Sequence, residues 1–594
     1  MRDKRRSEIA AAAVAAGIIV LAVGLRIALI AQGWPGPADS DESTMGLMAR
    51  HIAYSSAHPL LYYGQLIVGP AEAYAGAAVF QVASASVFAL RLGIVLLFAP
   101  FLACMYALTR LLYGKAPALG VLGLLSLGSG EMLGAQVVAA GHAETPLYGA
   151  AIMLLATAIA LAVAQRPGAR HSWGYGAAYG GWGLLVGLAI WCDPLVVPFA
   201  TTAGLLLLRT FRQGASKVLA VWALLGLVLG SGPFLAGING QMLAQPAVAS
   251  TTVHALTDHP YFSRPLPSWL NLVGTVMVSL PVATGANALW PVAPGIDFGW
   301  HPAQSYNVQS SWPGTQTLSF ALSPATISHA LWGLAFIGLG VVAFRREYRR
   351  AHALAAPDRP SSWRRRRATT IYLARMALLG AAGLTLLVYL VSPTPVLFPW
   401  AGKRYLVGLL VAFPAVLWPL VRRVPAGRWA PPVRAARHGL QAGGVAILAG
   451  AFVAGVIQTW MAVPVAQAHW RAQDALVANL LELGATRIYG EYWTCNRLAF
   501  QTQEQIRCSV INEEMQRGLD RYYPYCTEVD AALHPWYVFP RDSPQDLALA
   551  AQLAAQPAPY HLATFAGYNA YQFDPPLLTE HPVATPATPA PAPP

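Results

Sequence analysis

Apolar segments long enough to cross a bilayer dominate this chain. They occur near 8–32, 86–111, 117–138, 146–164, 174–192, 195–210, 218–238, 328–344, 370–392, 405–421 and 440–462. At 1.5 Å rise per residue, about 20 apolar residues cross a ~30 Å hydrocarbon core. The pattern predicts about eleven membrane helices, with Pro194 dividing one short pair. Charged residues make up 11% of the chain, against about 25% in a soluble protein. The fold class is therefore a polytopic α-helical membrane protein. The first apolar run is too long for a signal peptide, and no small-residue cleavage pattern precedes Asp39, so it reads as an uncleaved anchor.

The net charge of +13 is a topology signal. The N-terminus and alternate loops hold 25 of the 39 basic residues but only 4 of the 26 acidic ones. Loops rich in Lys and Arg stay in the cytoplasm, where they meet anionic lipid. The N-terminus is then inside and the C-terminus outside, at a plasma or inner membrane. No nucleic-acid site is evident.

Three parts face outward in this reading: loop 33–85, loop 239–327, and everything after 462. The membrane module is 1–462. From 463 onward there are 13 acidic and 7 basic residues, and the apolar runs are short. "WRAQDALVANLLELG" has helical spacing and "TRIYGEYW" alternates like a strand. "IRCSVI" and "WYVF" are further strands. "SPQDLALAAQLAAQ" is a helix capped by Ser543 or Asp542, and "YHLATFAGYNAYQF" closes the unit. Segment 463–578 is thus an extracytoplasmic α/β domain, and 579–594 is a disordered Pro/Ala-rich tail by composition. Cys495, Cys508 and Cys526 lie in that domain, where disulfides persist; one bridge is expected between two of them.

The first outer loop is unusually acidic for so apolar a chain. "PADSDESTMGLMARHIAY" places Asp39, Asp41 and Glu42 within four residues. From Ser43, Met45, Met48 and Ile52 recur at helical spacing, as in an amphipathic helix lying on a membrane surface. The acids suit an N-cap, yet capping needs one acceptor and at most one acid at N3. Asp39 is the residue placed to cap. Further polar groups could line a cavity at the outer face: Arg50, His51, Gln65, Glu72, Glu131, His142, Glu144 and Asp193. A helix-capping role before Pro194 also suits Asp193. Lys403 and Arg404, followed by Tyr405, stand at the outer head of a span, where basic residues are rare. An anionic ligand or snorkelling would each explain them.

The quoted loop, with "LLYYGQLIVGPAEAYAGAAVFQV" and "LRL" after it, resembles the first outer loop of bacterial GT-C-fold glycosyltransferases. These are related to the dolichyl-phosphate-mannose–protein mannosyltransferases. "GHAETP", "GLAIWCDPL", "GKRYLVGL" and "IYGEYWTCNRLAF" resemble later motifs of the same group. The resemblance implies a GT-C-like enzyme with its site at the outer face, using a polyprenyl-phosphate-linked sugar. It implies Asp41 as catalytic base with Glu42 beside it. Asp39 adds a D-x-D pattern, which some such enzymes use for a divalent metal; no cofactor is otherwise implied.

The chemistry agrees. Sugar transfer needs a base for the acceptor hydroxyl and positive charge where the leaving phosphate develops negative charge. Arg404, with Lys403 and Tyr405, is the expected phosphate site. The expected partners are the lipid-linked donor, membrane lipid and a glycan, lipid or protein acceptor. The expected activity is an inverting hexosyltransferase, with the outer domain positioning the acceptor rather than taking part in chemistry. A transporter or flippase of lipid-linked glycans, or a non-catalytic envelope-assembly protein, remains the alternative.

Overall fold

The computed structural model describes residues 2–165, 173–212, 215–244, 269–292, 323–355, 362–397, 399–422 and 431–574. Most of loop 239–327, the basic loop at 166–172 and the 579–594 tail lie outside the described residues.

Among the described residues, nine helices are long and apolar enough to cross a membrane. They include α1 (Arg2–Ala31), α4 (Val87–Tyr113), α7 (Glu144–Gln165) and α8 (Trp173–Cys192), as well as Pro324–Ala355 and Trp363–Val391. Two expected spans are shorter than drawn from the sequence. Segment 117–138 is divided into α5 (Lys115–Leu127) and α6 (Gly130–Ala135). Gly128 breaks it with a φ of +70°, a conformation that a residue with a Cβ adopts at a cost. Segment 405–421 becomes the turn Ala401–Leu406 and the helix Leu409–Val421. Both composites nevertheless run between the two ends of the bundle. Lys115 pairs with Glu8 at one end, and Glu131 of α6 pairs with Lys403 at the other.

Bundle helices pack through small residues, as expected where lipid offers no hydrophobic drive. α8 lies against α10 (Val218–Gly230) so closely that a Cβ on Gly183 would fall 1.9 Å from the Ala223 carbonyl oxygen. Arg26 lies in α1. It is buried, bonded to Gln136 Oε1 at 3.2 Å and to the Ser126 carbonyl oxygen at 2.9 Å.

The helix Pro431–Met461 is followed at once by Val463–Glu482, which leads into the C-terminal unit. There a five-stranded sheet has the order β2-β1-β3-β5-β4. β1 (Arg487–Gly490) pairs in parallel with β2 (Arg507–Val510) and β3 (Trp536–Pro540). The hairpin β4 (Tyr560–Phe565) and β5 (Tyr568–Phe573) adds antiparallel strands. The strand drawn through "TRIYGEYW" stops at Gly490. Glu491 accepts from Trp493 N and starts the helix Tyr492–Gln501 instead. Ser543 caps the helix Pro544–Ala555. Cys495 and Cys508 form the disulfide, while Cys526 is free and buried.

Candidate active site

Asp39 caps α2 (Ser40–Tyr54), its Oδ1 accepting from Glu42 N at 2.8 Å. The helix then presents Asp41 and Glu42 in its first turn, but in opposite settings. Glu42 is buried and faces Arg91 of α4. Arg91 Nε and Nη2 donate to its two oxygens at 2.9 and 2.7 Å, and Ala139 N adds a bond at 3.3 Å. Arg91 Nη1 also donates to the Gly36 carbonyl oxygen at 2.8 Å. The pair therefore ties the start of α2 to α4 and to the loop before α7.

Asp41 points the other way, toward three groups. Tyr492 donates to its Oδ1 at 2.5 Å, and Arg521 Nη2 donates to the same oxygen at 3.3 Å. Arg404 Nη2 lies 3.8 Å from Oδ2. Arg521 Nε donates in turn to the Tyr492 hydroxyl at 2.8 Å. Tyr62 fixes the backbone here, donating to the Asp41 carbonyl oxygen at 3.1 Å.

Burial alone would push the Asp41 carboxyl up. Arg521, Arg404 and the Tyr492 bond outweigh it and hold the group below the usual carboxylate range. Asp39 accepts from Glu42 N and feels the Arg404 charge, but these do not outweigh what opposes its ionisation. Burial, with the nearby Glu42 and Asp41 charges, pushes it up to about 6.

Tyr492 and Arg521 come from the C-terminal domain, for which the sequence suggests an acceptor-positioning role. Both follow the carboxyl ends of parallel strands, β1 and β2, where α/β sheets commonly place ligand groups. The domain is pressed onto the loop. Ser40 Oγ donates to the Tyr492 carbonyl oxygen at 2.6 Å. A Cβ on Gly46 would fall 2.5 Å from the Phe500 ring, so α2 needs a glycine there.

The apolar stripe of α2 does not lie on lipid. Met45 and Met48 are buried in a cluster with α3 (Ala71–Phe80) and with Phe500 and Tyr525 of the outer domain. Arg50 and His51 do not line a cavity beside Asp41; both hold the domain through Glu504. Arg50 Nε lies 2.9 Å from Glu504 Oε2, and His51 Nε2 lies 3.1 Å from Oε1. Tyr525 donates to Glu504 at 2.8 Å, and His51 Nδ1 is 2.9 Å from the Tyr63 hydroxyl.

Of the expected phosphate group, Arg404 faces Asp41, and its Nε is buried without a hydrogen-bond partner. Its Nη2 donates weakly to the Tyr405 hydroxyl at 3.4 Å. Lys403 Nζ is 2.6 Å from Glu131 Oε2. Glu72, His142, Glu144 and Asp193 form a separate group. Ala143 N donates to Glu72 Oε1 at 3.1 Å, and Ala140 N to Oε2. His142 Nδ1 is 2.9 Å from Asp193 Oδ2. Asp193 Oδ1 accepts from Leu195 N at 2.9 Å, the cap before Pro194. The Tyr405 ring packs 5.3 Å from His142 and so joins the two groups. Gln65 sits in a turn, its N–H bonded to the Tyr62 carbonyl oxygen at 3.1 Å, and its side chain meets neither group.

Arg91, Tyr492, Arg521 and Glu504 escaped the sequence reading as site residues. Arg91 carried a signal as a cation inside an apolar span and lies in the quoted "LRL", and Tyr492 lies in the quoted "IYGEYWTCNRLAF", though neither motif gave its residue a role. Arg521 and Glu504 are ordinary polar residues of the C-terminal unit, more than 400 positions from the loop they meet.

No family model matches the chain, and no curated protein does. Among solved structures, it is similar to ArnT from Cupriavidus metallidurans bound to undecaprenyl phosphate. Identity is 14% and the TM-score 0.42, over 95% of this chain and 97% of that one. It is also similar to the archaeal oligosaccharyltransferase AglB from Archaeoglobus fulgidus, in complex with an inhibitory peptide and a dolichol-phosphate. There identity is 13% and the TM-score 0.41, over 94% of this chain and 74% of that one. Likeness at this level leaves the function to be argued from the site.

Proposed function

We propose that the protein is a glycosyltransferase that moves a sugar from a polyprenyl-phosphate-linked donor to an acceptor hydroxyl at the outer membrane face. The observation that carries this reading is the setting of Asp41. One carboxylate lies between two guanidinium groups, one from the membrane module and one from the outer domain. One of those, Arg404, keeps a buried N–H without a partner. A guanidinium fork fits phosphate oxygens, and Arg404 stands just before the apolar Leu409–Val421 helix.

The roles follow. The donor phosphate enters between Arg404 and Arg521 and displaces Asp41 from them. Asp41 loses the charges that hold its carboxyl low and becomes a stronger base. The acceptor oxygen attacks the anomeric carbon from the face opposite the phosphate. The bond to phosphate breaks with inversion, the phosphate keeps the electron pair against Arg404 and Arg521, and Asp41 takes the hydroxyl proton. Glu42 anchors α2 through Arg91 rather than reacting, since both its oxygens are occupied. Asp39 caps the helix. Lys403 stands beside the phosphate and is neutralised by Glu131 in the absence of donor.

The test is transfer itself. Purified full-length protein is incubated with polyprenyl-phosphate sugars labelled in the sugar and with envelope extracts as acceptor. Label leaving the lipid for a hydroxyl-bearing product with inverted anomeric configuration supports the reading. Label that crosses a vesicle bilayer still attached to its lipid would support the transporter instead.

A further inference from the structure

Glu72, Glu144 and Asp193 form a second acidic group that the proposed reaction does not use. They come from α3, the first turn of α7 and the corner after α8, and each is 1–3% exposed. Among the described residues no Lys or Arg forms an ion pair with any of them; the basic partner is the His142 imidazole on Asp193. Buried carboxylates are otherwise paired with cations or bound to metals. Glu144 Oε2 is buried and without a hydrogen-bond partner. Ligand atoms of His142, Glu144 and Asp193 all lie within 4.8 Å of one another. Ligands about 2.0–2.2 Å from one ion need only small side-chain rotations from that spacing.

We propose that His142, Glu144 and Asp193 bind one divalent cation through one nitrogen and two oxygens. An imidazole suits Zn²⁺ and carboxylates suit Mn²⁺, while a nitrogen ligand disfavours Ca²⁺ and Mg²⁺. Glu72 supports the site from behind by accepting from Ala140 N and Ala143 N, which flank and position His142. The D-x-D acids are not the ligands, since Asp39 caps α2 and Asp41 faces arginines. The cation braces the loop on which the Tyr405 ring packs. It is a positioning site behind Arg404, and the proposal stands whether or not the protein transfers sugar.

The experiment uses the full chain in detergent, stripped with a chelator and then dialysed against micromolar Zn²⁺ or Mn²⁺. Metal content by mass spectrometry should return to about one ion per chain, with a higher Tm than the stripped protein. Glu144→Gln and Asp193→Asn should each weaken binding at least tenfold. His142→Gln, at a partly exposed position, should do the same if the buried variants fail to fold. Reloaded wild-type protein holding no ion above background would overturn the proposal, as would a folded variant that keeps wild-type affinity.

Discussion

Asp41 and Asp39 stand two residues apart on the same helix start, and their surroundings push their carboxyls in opposite directions. In the proposed reaction Asp41, held low by Arg521 and Arg404, becomes a stronger base once the donor phosphate draws off those arginines. Arg404→Ala should therefore weaken donor binding by tenfold or more, the scale of a charged hydrogen bond, in an equilibrium assay with a polyprenyl-phosphate sugar. Asp39 gives a pH test with a definite sign. Its folded value of about 6 lies above the ordinary 3.8, so between those values the folded state holds more proton than the unfolded. Its contribution to stability then falls as pH rises from about 4 to 6. Asp39→Asn keeps the cap and removes that loss. The variant should gain Tm over wild type at pH 8 and gain less at pH 5. The acids and Arg404 were legible because each breaks a rule, charge where an apolar chain should have none. Tyr492 lay in the quoted "IYGEYWTCNRLAF" but with nothing to give it a role, and Arg521 broke no rule among the polar residues of the C-terminal unit.

The element that carries the site, α2, is held on every side. Glu42 and Arg91 fix its start, α3 and Phe500 cover its apolar face, and Glu504 binds its end. Removing one partner of a buried ion pair costs about 3–5 kcal/mol. Arg91→Met should therefore lower Tm by many degrees, while Glu42→Gln should lower it less because the amide still accepts a hydrogen bond. Glu504 reports on the dock. Burial opposes its charge, but bonds from His51 and Tyr525, with Arg50 nearby, pull it down to about 2. A depressed carboxyl stabilises above its unfolded value of 4.5, and that support is lost as pH falls from there toward 2. Protection of α2 amides from hydrogen exchange should decline over the same range, and Glu504→Gln should remove the dependence. The stripe of Met45 and Met48 was legible, but not what covers it, since lipid and protein select the same apolar residues. The break at Gly128 was hidden for a related reason: hydropathy averages across a single turn.

In the whole molecule, the membrane module and the outer domain each supply an arginine to one carboxylate. Deleting 463–594 should therefore abolish donor turnover, not merely acceptor use, because Tyr492 and Arg521 leave with it. A truncated protein that binds lipid and still hydrolyses donor at the wild-type rate would separate the domain from the chemistry. Reporter fusions should place residue 355 in the cytoplasm and residue 550 outside, as the Lys/Arg bias requires. Membrane character and helix order were legible because spans are long and apolar. The docking of the outer domain was not, because it rests on pairs such as Ser40 with Tyr492 that no periodicity encodes. The central claim is that Asp41 is the base in a site built by both modules. It is tested by comparing wild type with Asp41→Asn in the full chain, measuring single-turnover transfer and donor affinity together. The substitution keeps the shape and removes the basicity, so transfer should fall about 10²–10⁴-fold while donor binding holds or tightens as the arginines are freed. Near-normal transfer by well-folded Asp41→Asn, or loss of transfer in Asp39→Asn instead, would contradict it.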